Sequence, residues 1–353
     1  MSAVIAFAAA NLSIWFVADC LDPGLREPQY GRKLAALKTQ LGALAGRPLV
    51  LLLGTSRAAY GVRPDALGQA ESPDSPLIFN FGILGGGPVY ELLHFRRLLE
   101  EGIRPQAVII EIHPALLNLP PEFLLVQTPP VEYCNAHDLE LLSGCFGSQP
   151  STWQEWLCCR AEACYRFRCE MMRRLAPRWL PDQTPNIYAV EKTTPSGWLP
   201  GPWPRPQDAV RQANAKVVRQ VYAPCYRDFE ISARPDRALR EILALCRQKN
   251  IVAALLLMPE AEELRDEAVV AAQPEVERYV GELAREYGAE VFDASRWCDN
   301  SDFFDGQHLL PDGAVRLSER LGRRVLDNWI ASHVQPRRSV PLIARRPVSQ
   351  SKQ

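Results

Sequence analysis

The sequence lacks an excess of charge of either sign. Among its 353 residues, 40 basic side chains nearly balance 41 acidic ones. Nucleic-acid-binding domains usually carry a surplus of positive charge, and this chain as a whole has none. The arginines near the C-terminus are a local cluster, for which a solvated tail is the simpler explanation. We therefore expect no nucleic-acid partner.

The sequence also lacks the short motifs of metal and nucleotide sites. It contains no C-x-x-C pair, no P-loop and no G-x-G-x-x-G opening a helix. Its histidines do not form a ligand motif, which makes a metal hydrolase a poor alternative; the four considered are His94, His113, His137 and His308. We expect neither a metal nor a cofactor.

The ten cysteines are unevenly distributed. Six of them lie between residues 134 and 169, and the spacing of the last four does not match that of zinc ligands: Cys158, Cys159, Cys164 and Cys169. A local disulfide set is one interpretation if this segment is exported. Structural cysteines, paired or free, are the default prediction.

The clearest targeting feature is an apolar segment at the N-terminus. Residues 3–17 carry no charge, and their length is close to that of a signal-peptide core but short of the ~20 residues of a spanning helix. No basic residue precedes the segment and no clear cleavage site follows it, which favours an uncleaved membrane anchor. We expect an extracytoplasmic, membrane-anchored protein in the periplasm or at the cell surface. The alternative is a helix packed on a cytoplasmic domain.

Short apolar runs alternate with segments of helical periodicity. Five runs are predicted as strands, at residues 48–53, 77–81, 107–112, 251–258 and 290–292. Most are continuously apolar, as expected of strands buried on both faces of a parallel sheet. Helices are predicted between and after them, at residues 89–101, 237–249, 274–287 and 312–330. This alternation predicts a doubly wound α/β sheet.

The gap between the third and fourth predicted strands is far longer than one crossover requires. Within it, residues 151–175 look helical, and the proline-rich residues 181–206 are typical of an irregular loop. We interpret residues 120–235 as a large, mostly helical cap inserted over the carboxyl edge of the sheet. The α/β domain then comprises residues 45–119 and 236–333, with an anchor or signal segment at 1–20 and a disordered tail at 334–353.

A serine follows the first predicted strand. In Leu51-Leu52-Leu53-Gly54-Thr55-Ser56-Arg57, a glycine turn leads from the strand into what is predicted to be a helix. This position exposes a hydroxyl at the carboxyl edge of the sheet, where open α/β folds bind ligands. A helix N-terminus there would favour a developing oxyanion. On this pattern alone, Ser56 is as readily explained as a helix cap.

A second motif near the end of the chain favours a catalytic serine. Asp305 and His308 lie three residues apart, just before the last predicted helix. At this spacing the carboxylate can accept a proton from one ring nitrogen, which leaves the other as a base toward a serine hydroxyl. We therefore predict Ser56 as nucleophile, His308 as base and Asp305 as the residue that orients it.

Together these motifs resemble the SGNH (GDSL-like) hydrolase superfamily. The resemblance rests on three separated blocks: Gly54-Thr55-Ser56-Arg57, Asn80-Phe81-Gly82 and Asp305-Gly306-Gln307-His308-Leu309. The most similar branch is bacterial and membrane-anchored, and it includes proteins that move acyl groups on cell-envelope polymers. The resemblance covers residues 48–118 and 250–330. It implies a flavodoxin-like three-layer α/β/α sandwich around a five-stranded parallel sheet, and it implies Gly82 as an oxyanion donor.

The chain departs from the family pattern in two places. Thr55 stands where the family often has aspartate, and the third block reads Glu111-Ile112-His113-Pro114 instead of supplying an asparagine donor. If nothing replaces it, loss of that donor costs about 3 kcal/mol of transition-state stabilisation. The candidate oxyanion or substrate-binding residues are therefore Gly82, Asn80, His113, Asn118 and Arg57. His113 is equally well explained as a structural histidine.

Two functions are compatible with these patterns. The first is an esterase or O-acyltransferase that acts on an acylated carbohydrate or another envelope ester through an acyl-serine intermediate. The second is a non-enzymatic domain that binds a glycan or a partner protein in an envelope assembly. Tryptophans of the insertion would then stack on sugars, or equally form the core of the cap; they are Trp153, Trp156, Trp179, Trp198 and Trp203.

Overall fold

A computed structural model describes residues 2–44, 46–68, 75–124, 127–146, 150–180 and 192–334. The strands are β1 Leu49–Leu53, β2 Leu77–Asn80, β3 Ala107–Ile112, β4 Val252–Leu257 and β5 Glu290–Asp293. The helices up to β4 are α1 Ser2–Phe16, α2 Pro23–Arg26, α3 Pro28–Ala43, α4 Ser56–Gly61, α5 Pro88–Glu100, α6 Pro121–Leu124, α7 Ala136–Phe146, α8 Pro150–Ala161, α9 Ala163–Arg166, α10 Arg168–Leu175, α11 Asp208–Tyr226 and α12 Ala233–Gln248. After β4 follow α13 Glu267–Tyr287, α14 Pro311–Leu321 and α15 Asp327–His333.

The five strands form one parallel sheet in the order β2-β1-β3-β4-β5. The order reverses between β1 and β3, which makes the carboxyl edge beside β1 the expected ligand site of an open α/β sheet. All five predicted strands are present, with bounds within two residues of the prediction. The predicted α/β fold class with a parallel five-stranded sheet is confirmed.

Helices cover both faces of the sheet. Alternate residues of each strand face opposite sides, so β1 contributes Leu51 to one apolar core and Leu52 to the other. The first core is closed by α3, α5, α12 and α13, and the second by α4, α14 and α15. A sheet buried on both faces explains why its strands are continuously apolar, and the architecture is a three-layer α/β/α sandwich.

Several helices differ from the prediction. Residues 151–175 were expected as one helix, but the backbone leaves the helical region at Glu162 and Phe167 and divides it into α8, α9 and α10. The last predicted helix is interrupted by a π-helical turn that begins at Gly322. There the backbone of Leu67 is so close that a Cβ on Gly322 would lie 1.9 Å from its carbonyl oxygen. Helices α3 and α11 were not predicted.

The part of the proline-rich segment that the structure describes lies along the outer edge of the sheet, beside β2. Residues 193–206 form no helix or strand, and the backbone N–H of Asn80 in β2 donates to Ser196 O at 2.9 Å. The amine of Lys33 donates to the carbonyl oxygens of Asn80 (3.0 Å) and Gly197 (2.8 Å). Burial lowers the pKa of Lys33 to about 7. This segment therefore covers the β2 edge of the sheet. Residues 181–191, and residues 335–353 of the predicted tail, lie outside the described part.

At the N-terminus, α1 continues through a π-helical turn as far as Leu21. Together they make a 20-residue segment long and apolar enough to cross a membrane, with a mean hydropathy of 1.9. The described cysteines, which exclude Cys145, are free thiols. No disulfide therefore ties the described part of the insertion.

Candidate active site

Ser56 is the first residue of α4, directly after the turn that follows β1. The residue that caps this helix is Thr55, whose hydroxyl accepts a hydrogen bond from the N–H of Arg57 at 3.2 Å. The alternative explanation of Ser56 as the helix cap is therefore wrong. The Ser56 side chain is partly exposed and is not needed for capping.

The structure brings Ser56, His308 and Asp305 into one chain of hydrogen bonds. Ser56 Oγ lies 2.8 Å from Nε2 of His308, and Nδ1 of the same ring lies 2.8 Å from Oδ2 of Asp305. An ionised carboxylate accepts, so Nδ1 carries the proton and Nε2 is left as an acceptor for the serine hydroxyl. Residues 252 positions apart in the sequence thus have the geometry of a nucleophile, a base and an orienting carboxylate.

Asp305 is held in place by its own turn. Its Oδ1 accepts the backbone N–H groups of His308 at 2.9 Å and Gln307 at 3.1 Å. Burial alone would raise the pKa of Asp305, but the hydrogen bond and charge of His308, together with these N–H groups, hold it below the ordinary value. The carboxylate therefore stays ionised at neutral pH, as the role of stabilising an imidazolium requires.

A buried carboxylate from β3 supports the turn that carries the serine. Glu111 Oε2 accepts the N–H of Thr55 (2.7 Å), the hydroxyl of Thr55 (3.0 Å) and the N–H of Ala58 (3.3 Å). Gly54 is essential to this contact, because a Cβ there would lie 2.6 Å from the same Glu111 oxygen. The sequence did not lead us to predict Glu111 as part of the site, although an acidic side chain inside an otherwise apolar strand was a signal for it.

Arg57 is buried in the protein interior. Only 1% of the residue is exposed; its guanidinium donates to Glu260 Oε1 and to Met258 O, each at 2.8 Å, and lies 3.7 Å from Glu111. We predicted it among the substrate-binding residues. Its burial and its hydrogen bonds to Glu260 and Met258 indicate instead that it supports the start of α4.

Asn80 and Gly82 fasten the loop after β2 to the same helix. The Asn80 amide donates to Ala58 O (2.8 Å) and Val62 O (2.6 Å), while its Oδ1 accepts the N–H of Gly82 at 2.9 Å. Gly82 has to be glycine because a Cβ would lie 2.6 Å from the backbone nitrogen of Ala59. Since the N–H of Gly82 is occupied by Asn80, its predicted role as an oxyanion donor is not supported in this conformation.

His113 is oriented by the arginine beneath the nucleophile. Arg57 Nη1 lies 3.3 Å from Nδ1 of His113, and because a guanidinium only donates, the ring proton is placed on Nε2. That Nε2 is buried without a hydrogen-bond partner among the described residues. Burial, helped by the charges of Arg57 and His308, lowers the pKa of His113 well below its ordinary value. His113 is therefore a neutral donor beside the triad.

Asn118 lies away from the triad. Its amide donates to Cys225 O at 2.9 Å, near the end of α11, and the residue is buried. Asn118, which was predicted as a binding residue, therefore links the insertion to the loop after β3. No observation places it against a substrate.

Aromatic side chains enclose His308. The ring of Trp203, from the end of the insertion, stacks on His308 with centroids 5.6 Å apart, and Tyr60 approaches the same ring edge-on at 5.4 Å. Phe304 in turn stacks on Trp203, with ring centroids 4.8 Å apart. Of the tryptophans proposed to bind sugars, Trp156 and Trp198 are buried in the core.

A cavity lies beside Gln307, the residue before His308 in the sequence. Its wall combines apolar side chains with polar ones that include His113, Tyr222, Tyr226 and Glu260. Tyr222 comes from α11 of the insertion, and its ring is 5.3 Å from that of His113. The insertion therefore contributes to the walls of the candidate site.

The backbone N–H of Ser56 is available as an oxyanion donor. It is the first N–H of α4, and no hydrogen bond among the described residues engages it. Free N–H groups at a helix start favour negative charge.

Compared with known proteins, the chain matches no family model, and it also matches no curated protein.

Proposed function

We propose that this chain is a serine esterase or O-acyltransferase of the SGNH type. The observation that carries the proposal is the hydrogen-bonded chain from Ser56 through His308 to Asp305. The order of the sheet, which places Ser56 at the carboxyl edge beside the reversal of strand order, supports it. No metal or cofactor is needed for this chemistry.

The proposed reaction begins with attack of Ser56 Oγ on an ester carbonyl. The hydroxyl proton moves to Nε2 of His308, and Asp305 stabilises the imidazolium that forms. The N–H of Ser56 donates to the oxyanion, and His308 then returns the proton to the leaving alcohol. Water or an acceptor alcohol takes the acyl group from Ser56 by the same steps in reverse.

We propose His113 as the replacement for the missing asparagine donor. Its neutral ring carries the proton on Nε2, and the hydrogen bonds of the described residues leave that atom without a partner, so a donor remains to be used. His113 lines the same cavity as Gln307 and Tyr222. This assignment depends on the catalytic role of Ser56.

The substrate class and location follow from the resemblance. An acylated carbohydrate or another cell-envelope ester is the proposed substrate, at the extracytoplasmic side of a membrane. The apolar N-terminal helix supports membrane association. A binding domain without catalysis is the second candidate, and the occupied N–H of Gly82 together with the altered third block favours it.

The test is labelling with a fluorophosphonate, which reacts with activated serines. Wild type should label, whereas Ser56→Ala should not, and His308→Ala should label at least about a thousand-fold more slowly because the base is lost. Ser332→Ala, at an exposed serine in α15, is the matched control and should label like wild type. A folded wild type that never labels would favour the binding role, and labelling that persists in Ser56→Ala would exclude this nucleophile.

A further inference from the structure

The N-terminal apolar helix packs against the insertion through its C-terminal half. Asn11 is 3% exposed, and its Oδ1 accepts the backbone N–H of Cys164 at 2.9 Å. Farther along, Ala18 packs in a small core with Ala163 and Phe167. Asn11 and Ala18 therefore face the protein.

Ion pairs reinforce this joint. Asp19, next to the buried Ala18, pairs with Arg26 at 2.8 Å and with Arg160 of α8 at 3.2 Å. Arg160 also lies over the ring of Trp156, 4.6 Å from its centroid. Since these groups are buried or nearly so, separating α1 from the insertion would leave charges without partners.

The rest of the helix surface is bare and apolar. Residues 2–10 are exposed throughout, and apolar side chains continue the exposed face beyond them. The large apolar residues on it are Val4, Ile5, Phe7, Leu12, Phe16, Val17 and Leu21, each at least 36% exposed. An apolar face of this extent is unusual for a surface in water.

Helices α8, α9 and α10 also carry exposed apolar residues. They and the turn after them expose four large apolar residues: Leu157 (59%), Tyr165 (61%), Leu175 (84%) and Trp179 (73%). Residues 163–180 also contain five arginines against one glutamate. Exposed aromatic and apolar residues among arginines are the composition of a surface that lies on a membrane with anionic lipids.

A full transmembrane span conflicts with this packing. If residues 2–21 crossed the bilayer, Asn11 would lie near its midplane, because it is close to the middle of the segment. Cys164 contacts it there, and the exposed, charged Glu162 and Arg166 flank Cys164. Charged side chains at that depth are among the most costly groups in a membrane.

We infer that the protein is monotopic: α1 lies along one leaflet with its exposed apolar residues in the acyl region, and α8–α10 lie on the same membrane surface and bind anionic headgroups. We call the exposed apolar residues of α1, with Leu157, Tyr165, Leu175 and Trp179, the docking face. This inference rests on the membrane association proposed above and not on the catalytic role of Ser56. It places the triad and both ends of α1 on one side of the bilayer.

The first test measures binding of the full chain to vesicles by flotation. Wild type should bind vesicles containing phosphatidylglycerol at least ten-fold more tightly than vesicles of phosphatidylcholine alone. The double variant Leu175→Glu/Trp179→Glu should lose at least ten-fold of that binding. The control is Val270→Glu, at an apolar residue on α13 that is 55% exposed, which should bind like wild type.

The second test determines on which side of the membrane the N-terminus lies. A peptide tag at the N-terminus of the vesicle-bound protein should be removed by protease added outside, together with the catalytic domain. A protected tag would mean that α1 spans, and unchanged binding of the double variant would mean that α1 anchors alone; either result overturns the inference. A wild type that binds no vesicle overturns membrane association as well. Fluorophosphonate labelling of the same sample reports separately on Ser56.

Discussion

Two clusters of buried charges in this molecule are paired very differently. One joins the N-terminal region to the insertion, where Arg97 donates to both Glu27 and Asp138, and Glu27 also accepts from His94 at 2.7 Å. The other lies around Glu111, where the carboxylate of Glu91 is buried without a hydrogen-bond partner among the described residues. The first cluster is satisfied and the second is not.

The ionisation of the two clusters follows from the pairing. Although burial would raise the pKa of Glu27, the charges and hydrogen bonds of His94 and Arg97 lower it to about 2. Burial, with the charge of Glu111 added, raises the pKa of Glu91 well above its ordinary value. Unsatisfied buried groups are rare in proteins and concentrate at functional sites. The comparison therefore separates a structural joint from a site under electrostatic strain.

The largest expected effect is loss of the joint. Arg97→Ala leaves Glu27 and Asp138 buried without their main partner, so we expect the free energy of unfolding to fall by about 3–5 kcal/mol. Chemical denaturation measures this. Where the variant remains folded, its fluorophosphonate labelling rate should match that of wild type. A large fall in labelling without loss of stability would contradict the separation of the two clusters.

A smaller effect is expected for the carboxylate that supports the nucleophile turn. Glu111→Gln replaces a charged acceptor of three hydrogen bonds by a neutral one, so the labelling rate of Ser56 should fall about ten- to a hundred-fold through loss of its position. The control is Glu260→Gln, which weakens the ion pair between Glu260 and Arg57 but removes no hydrogen bond to the turn. The labelling rate of this variant should fall less. Equal rates in the two variants would remove the positioning role of Glu111.

The smallest effect is a pH dependence. A glutamate whose pKa is raised by folding stabilises the folded state fully below the pKa of the unfolded chain, about 4.3, and this stability is lost as pH rises through the folded pKa. Glu91 therefore contributes a slope of up to about 1.4 kcal/mol per pH unit over that window. Glu91→Gln should flatten the curve of unfolding free energy against pH. An unchanged curve would show that Glu91 is ionised in the folded state.

Much of the site was predictable because its motifs are local. A strand, a glycine turn and a serine place Ser56 at a sheet edge, and a three-residue spacing lets Asp305 orient His308. The predicted roles of Gly82 and Arg57 were less reliable. Whether an N–H is free or a guanidinium is buried depends on neighbours brought from elsewhere in the chain, such as Asn80 and Glu260.

The insertion was the least predictable part. Its apolar residues are shared between a packed face and a bare one, so the single helix expected at residues 151–175 became three, each aligned to contact α1 or the core. The position of Trp203 over His308 follows from a segment without regular structure. Periodicity does not report on such contacts.

By itself, the sequence determined the parallel α/β sheet and the identity of the serine, histidine and aspartate, because apolar periodicity and short-range spacing act locally. Only the tertiary structure decided that Thr55 and not Ser56 caps α4, that Glu111 holds the turn, and that Arg57 sets the tautomer of His113. The physical reason is that hydrogen bonds and the desolvation of charges depend on which distant groups become neighbours in the fold.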